Sequence, residues 1–252
     1  EFSQSTSSGN LSQNNIGANV SVIDTNLATI NIYFYNSTGN LINTSSSSAT
    51  PFFVNFTNLD DGLYYFNSTS SDLAGNSANT TTRVVSIDTI DPVNSVVVNN
   101  TNLQKNLDSV LINWSSLDVN LNVTLFNITF PGGAVLFSSS ESSGEVTLTA
   151  SNMTTIGTYL VSLYSVDNSG NNNLTTQTMI VNDTTVPNIE VINPLSGSYI
   201  QNWIFVNVTS IDEDVNTIDI YLYNTTLGLV EQSGGFNSPY SYNFTSLSDG
   251  TY

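Results

Sequence analysis

The sequence predicts an all-β chain of tandem two-sheet sandwiches, and three observations carry that prediction. Short runs such as Thr29-Ile30-Asn31-Ile32-Tyr33-Phe34-Tyr35 and Thr158-Tyr159-Leu160-Val161-Ser162-Leu163-Tyr164 are rich in β-branched and aromatic residues and are bounded by Asn, Asp, Ser and Gly. Helical periodicity is missing along the chain. The chain also repeats itself. Gly62, Tyr64, Asp72, Gly75, Asn76, Asp88, Thr89 and Pro92 recur 95 residues later as Gly157, Tyr159, Asp167, Gly170, Asn171, Asp183, Thr184 and Pro187. A third copy follows: Asp24, Ile30, Ile32, Tyr33, Tyr35, Asn36, Asn55, Gly62 and Tyr64 match Asp212, Ile218, Ile220, Tyr221, Tyr223, Asn224, Asn243, Gly250 and Tyr252 at a displacement of 188. A period near 95 is too long for a solenoid unit and suits a small independent domain.

The copies divide the chain into residues 1–89, 90–184 and 185–252. In the second copy, strands are predicted near 94–99, 107–116, 119–129, 134–140, 144–149, 157–166 and 173–182, with a turn at Pro131-Gly132-Gly133. Seven strands in one copy is the count of an immunoglobulin-like sandwich. Alternation along the strands buries Ile30, Ile32 and Phe34 in the first copy and Tyr159, Val161 and Leu163 in the second. Residues 1–12 (EFSQSTSSGNLS) are polar where the first strand belongs, so the first strand of repeat 1 reads as degenerate.

Tyr64, Tyr159 and Tyr252 each follow a tight turn, in Leu59-Asp60-Asp61-Gly62-Leu63-Tyr64, Ile156-Gly157-Thr158-Tyr159 and Leu247-Ser248-Asp249-Gly250-Thr251-Tyr252. That is the place of a tyrosine corner, whose hydroxyl bonds back to the backbone at the start of the sixth strand; the competing reading is an ordinary core tyrosine. An antibody domain carries cysteine two residues later, but Phe66 and Val161 stand there, so packing alone holds these cores.

Composition narrows the function. The 252 residues contain no cysteine, which removes disulfides and thiolate metal sites, and no histidine, which removes the commonest general base and metal ligand. A net charge of −18, with Arg83 and Lys105 the only cations, repels nucleic-acid phosphates. Ser and Thr nucleophiles lack a His or Cys to activate them, and the acidic pairs recur per copy where an active site would appear once, so the chain reads as no enzyme. Nothing approaches the roughly 18 apolar residues needed to span a bilayer. With no initiator Met or signal peptide, the chain reads as processed or as a fragment.

Asp72-Leu73-Ala74-Gly75-Asn76 followed by Asp88-Thr89-Ile90-Asp91-Pro92, and Asp167-Asn168-Ser169-Gly170-Asn171 followed by Asp183-Thr184-Thr185-Val186-Pro187, resemble the D-x-x-G-N and D-T-T-x-P motifs of bacterial and archaeal immunoglobulin-like, cadherin-like repeats. The resemblance covers nearly the whole chain and implies tandem sandwiches in the stalk of a large cell-surface protein, adhesin or filament. The first proline motif departs from the pattern at Ile90 and Asp91.

The acidic residues gather where copies meet. The loop after the second strand holds Asp118 and the loop after the sixth holds Asp167; both face the incoming linker with Asp88 and Asp91. Asp183, Asp212, Glu213 and Asp214 would gather at the next junction, and Asp24 with Asp72 would cap the first copy. Like charges pack together unfavourably unless a cation intervenes, and a hard cation with six to eight oxygen ligands is calcium. Resemblance to calcium-dependent adhesin repeats points the same way. The competing reading is turn chemistry alone, because Asp, Asn and Gly are the residues that turns require.

Sugar attachment is the second chemical theme. The sequence holds 17 N-x-S/T sequons, whereas 37 Asn and 68 Ser plus Thr in 252 positions predict roughly ten. Asn36 and Asn55 recur as Asn224 and Asn243, and with Asn67, Asn79, Asn122 and Asn173 they are the expected N-linked glycan positions. Dense glycans would solubilise a surface on which only 9% of residues are charged, and they fit an archaeal host better than a bacterial one. Tyr33 and Tyr35, with Tyr221 and Tyr223, alternate against the core face and form an aromatic stripe suited to stacking on a sugar or a neighbouring subunit.

These readings predict a glycosylated extracellular stalk or filament segment at the cell surface, whose partners are neighbouring repeats or identical subunits. The alternative is an adhesin region with a cell-surface or carbohydrate ligand. Tyr252 stands at the opening of the sixth strand of copy 3, so the sequence reads either as part of a longer chain or as a subunit completed by β-augmentation from another.

Overall fold

The computed structural model describes residues 1–212 and 216–252, and Cα proximity divides the chain into two compact units, Glu1–Asn182 and Asp183–Tyr252. Asp214, expected at the second junction, lies with Glu213 outside the described residues. No helix is long and apolar enough to cross a membrane among the described residues.

In the first unit the chain opens with β1 (Gly9–Leu11), β2 (Asn15–Val20), β3 (Leu27–Tyr35), β4 (Leu41–Ser47), β5 (Phe52–Thr57), β6 (Gly62–Asp72), β7 (Ser77–Asn79) and β8 (Arg83–Ile87). One sheet runs β1-β8-β6-β3-β4, with β7 also on β6; the other pairs β2 with β5. Inward residues from both sheets meet in one cluster: Ile16, Ala18, Val20 and Phe56 from the small sheet, and Ile30, Ile32, Phe34, Phe66, Val85 and Ile87 from the large one. Each Val, Ile or Phe among them contributes about 1.5–3 kcal/mol on burial. Phe34 stacks on Phe56 at 4.1 Å between ring centroids and ties the two sheets together.

The second sandwich has β9 (Val93–Val98), β10 (Asn102–Gln104), β11 (Val110–Leu117), β12 (Leu121–Thr129), β13 (Val135–Ser139), β14 (Ser143–Leu148), β15 (Gly157–Asp167) and β16 (Asn172–Asn182). Its sheets are β14-β11-β9 and β10-β16-β15-β12-β13. Its cluster centres on Trp114, stacked on Phe126 at 4.1 Å, with Tyr159, Val161, Leu163, Met179 and Val181 buried around them. The indole Nε1 of Trp114 donates to the carbonyl of Glu141 at 3.1 Å, so the ring's polar edge is satisfied. Its cross-strand partner is Gly144, and a Cβ there would collide with the Trp114 ring.

Both sandwiches split their first strand. Phe2 bridges Val20 on the small sheet while β1 runs parallel to β8, so the degenerate first strand is two short pieces. In the second sandwich β9 pairs with β11 and β10 runs parallel to β16. Sequence reading misses β10 because one buried side chain, Leu103, anchors its three residues.

The second unit has β17 (Asn188–Asn193), β18 (Ile204–Ile211), β19 (Ile218–Tyr223), β20 (Leu229–Gly235) and β21 (Tyr240–Phe244), in sheets β17-β18-β21 and β19-β20. Val206, Val208, Ile218 and Phe244 form its buried cluster. The tyrosine corners are present: Tyr64 Oη donates to Asp60 O at 2.9 Å and Tyr252 Oη to Ser248 O at 2.8 Å. Tyr159, fully buried, donates to Asn152 O at 3.4 Å and accepts from Thr155 N at 3.3 Å.

Candidate functional site

The D-x-x-G-N segments are hairpin turns closed by their own aspartate. Asp72 Oδ1 accepts from the backbone of Ala74 and Asn76 at 2.9 and 2.8 Å, and its Oδ2 from Asn76 Nδ2 at 2.7 Å. Asp167 does the same with Ser169 N, Asn171 N and Asn171 Nδ2. Gly75 and Gly170 sit at φ of 88° and 94°, the left-handed region the turn requires. The side-chain amide of Asn76, more than the backbone donors, holds the Asp72 carboxyl below the usual aspartate range.

The two turns differ in their surroundings. Asp72 is half-buried, whereas Asp167 is only 2% exposed because the chain leaving β8 passes over its turn. Asn171 Nδ2 donates to the carbonyl of Asp88 at 2.7 Å, Asn120 Nδ2 to Asp88 Oδ2 at 2.8 Å, and Asn173 Nδ2 to Pro92 O at 2.8 Å. Asn10 Nδ2 reaches Asn168 O at 3.4 Å. Asn120 and Asn171 are the residues that sequence reading passed over. Asn171 was visible only as the last letter of a turn motif, and nothing local marks it as a bridge to a segment 83 residues away.

Asp88, Asp118 and Asp167 come together here, each offering one carboxylate oxygen within 4.8 Å of the other two. Oxygens sharing one calcium at roughly 2.4 Å can be at most about 4.8 Å apart, so the spacing suits one such ion. Free lone pairs remain as well. A carboxylate has about four acceptor sites. Asp167 uses three on its own turn, Asp88 accepts from Ile90 N and Asn120 Nδ2, and Asp118 accepts from Asn120 N at 2.7 Å. Asp91 stands outside the group: the chain turns inward at the buried Pro92 and leaves Asp91 exposed.

In the second unit, Thr185 Oγ1 lies 2.6 Å from Asp183 Oδ1 and 3.5 Å from Asp212 Oδ2, which links two of the predicted residues through a hydroxyl. Asp24 is exposed, caps Asn26 N at 2.7 Å, and shares with Asp72 the lining of a shallow depression of about 200 Å³.

Asn55, Asn79, Asn122, Asn224 and Asn243 are exposed, and Asn36, Asn67 and Asn173 are half-buried. Asn36 and Asn224 each accept from the backbone and hydroxyl of the threonine two residues on, which leaves their amide nitrogens outside the turn's bonding. Asn173 spends its amide nitrogen on Pro92 O, the atom a glycan would need. Tyr33 and Tyr35 are half-buried on the outer face of β3; Tyr221 and Tyr223 are exposed, with rings stacked at 6.3 Å.

No protein-family model matches the chain, and no curated protein matches it. Among solved structures, it is similar to a tetra-tandem repeat in the extending region of a large adhesion protein, at 16% identity and a TM-score of 0.46 over 95% of this chain and 63% of that one. It is similar also to fibronectin(III)-like modules of Clostridium thermocellum CbhA, at 16% identity and TM-score 0.42 over 73% and 94% of the two chains. A third is a calcium-stabilised adhesin with which an Antarctic bacterium binds ice, at 16% identity and TM-score 0.35 over 94% and 62%. By its own strand order, sheet pairing and tyrosine corners, the chain is a tandem array of immunoglobulin-like β-sandwiches.

Proposed function

We propose that the chain is a structural segment of a glycosylated extracellular stalk or filament, with repeats at residues 1–89, 90–184 and 185–252 acting as spacers and calcium stiffening their junctions. The observation that carries this reading is the Asp88–Asp118–Asp167 group, seated where the chain leaves one sandwich and enters the next. Three carboxylates at this spacing repel one another; a divalent cation removes that repulsion and ties linker, β11 end and β15 end to one point. The amide bridges from Asn120 and Asn171 support the same role by fixing the linker without any ion. Its contacts are then with neighbouring repeats and with identical subunits, and its surface sequons carry the sugars that replace charge as the solubilising group.

Calorimetric titration of the full chain with calcium tests this, read beside protease cleavage of the 88–92 linker. Saturable binding with slowed cleavage is the expected outcome; no heat at millimolar calcium and unchanged cleavage would remove calcium from the proposal. A second reading, an adhesin with a carbohydrate or cell-surface ligand, is favoured by the exposed, stacked Tyr221–Tyr223 pair. A glycan array probed with the full chain and with the Tyr221→Ser variant separates the two.

A further inference from the structure

The recurring sequon Asn55/Asn243 is exposed on β5 in the first copy and on β21 in the third, each strand pairing antiparallel with an earlier one (β2 or β18). In β5, Phe52, Val54 and Phe56 turn inward and Phe53, Asn55 and Thr57 turn outward. Asn55 faces Gly17 across the strand pair, and a Cβ on Gly17 would meet Phe53 Cε2 at 3.1 Å. The Phe53 ring therefore lies over Gly17, directly beside Asn55, with 57% of its surface exposed. Asn19, the direct partner of Phe53, turns its amide nitrogen to Ser5 Oγ at 2.9 Å.

In the third copy the positions are exchanged. Register places Phe205 where Gly17 stands and Ser241 where Phe53 stands, and Phe205 is the direct cross-strand partner of Asn243 and 41% exposed. An exposed aromatic residue thus stands beside the same sequon on the opposite strand. The second copy is an internal control: its register gives Leu111 for Gly17, Glu145 for Phe53 and Thr147 for Asn55, so ring and sequon are both missing. The strand that supplies the aromatic residue differs between copies 1 and 3, while its adjacency to the asparagine is kept.

We propose that the exposed rings of Phe53 and Phe205 are platforms for the first sugar of N-linked glycans on Asn55 and Asn243. Cross-strand Cβ atoms stand about 4.5–5.5 Å apart, which sets Phe205 beside Asn243. In the first copy the Phe53 ring reaches the cross-strand place over Gly17 that faces Asn55, so a pyranose leaving either asparagine nitrogen has a ring within reach. The negative π-face attracts the sugar's polarised C–H groups, and the apolar ring surface leaves water. This deepens the glycosylation reading above and rests on it.

The test uses the full chain secreted from an N-glycosylating host. Glycopeptide mass spectrometry first establishes occupancy. Asn55→Gln should then lower the thermal midpoint by about 2–4 °C in the parent and leave it unchanged beside Phe53→Ser. The double variant Gly17→Phe with Phe53→Ser, which installs the third-copy arrangement in the first, should restore the loss. NOEs between the Phe53 ring and the first sugar's ring protons give a readout independent of stability. Bare Asn55 and Asn243 would overturn the glycosylation reading itself. Occupied asparagines with equal losses in both backgrounds, and no ring-to-sugar NOE, would overturn the platform alone.

Discussion

Asn171 donates its side-chain amide to the backbone carbonyl of Asp88 at 2.7 Å, so a hairpin of the second sandwich grips the chain as it leaves the first. The same nitrogen bonds Asp167 Oδ2 at 2.7 Å, which places one amide between linker and carboxylate. Asn171→Ala is expected to cost about 1–3 kcal/mol, because it leaves buried acceptors unmatched. Urea unfolding of the full chain measures the loss; a change under 0.3 kcal/mol would show that the bridge adds nothing.

The acidic group yields a prediction with opposite signs in two conditions. Asp118→Asn keeps an oxygen to accept from Asn120 N but removes one charge. In EDTA it should raise the thermal midpoint by relieving like-charge repulsion; in millimolar calcium it should lower it, with affinity weakened about tenfold or more. A parallel shift in both conditions would argue against a bound ion.

Asp72 makes acid sensitivity local. Its folded pKa is depressed, chiefly by the Asn76 amide, so its stabilisation is present above the unfolded aspartate value of about 4 and is lost as pH falls through the folded value. Asn76→Ala should move the Asp72 carboxyl resonance midpoint back toward 4 in an NMR titration.

Tyr64 gives the alkaline counterpart. Burial first, then the Asp60 charge, raises its phenol above the ordinary value of 10.0. A raised pKa means stabilisation that is full below about 10 and lost as pH rises through the folded value. Tyr64→Phe should remove that alkaline loss and cost about 0.5–1.5 kcal/mol at neutral pH through the missing bond to Asp60 O.

Gly144→Ala places a methyl against the Trp114 ring and should destabilise by about 1–3 kcal/mol, with a shift in tryptophan emission as the ring is displaced from Phe126.

Much of this architecture is legible in the chain. Ile30, Ile32 and Phe34 alternate with Tyr33 and Tyr35, and strand period alone sends the first set inward. The tyrosine corners follow from a glycine turn and a tyrosine at fixed spacing, because the bond closes within four residues in Tyr64 and Tyr252. Local chemistry also yields the D-x-x-G-N turns, whose aspartates bond donors two and four residues on.

Tertiary structure decided what depends on distant segments meeting. Two turns of one D-x-x-G-N pattern gave a half-buried Asp72 and a buried Asp167, because the chain leaving β8 passes over the second. Asp91 was drawn away from Asp88 and Asp118 by the burial of Pro92, and β10 formed on a single anchoring leucine. The ring beside Asn55 comes from its own strand and the ring beside Asn243 from the strand opposite, a substitution that sequence alignment scores as two mismatches. Side-chain alternation and turn closure act within a few residues, so sequence by itself determined strands, corners and repeat. Charge convergence and ring placement depend on register between strands tens of residues apart, and only folding sets that register.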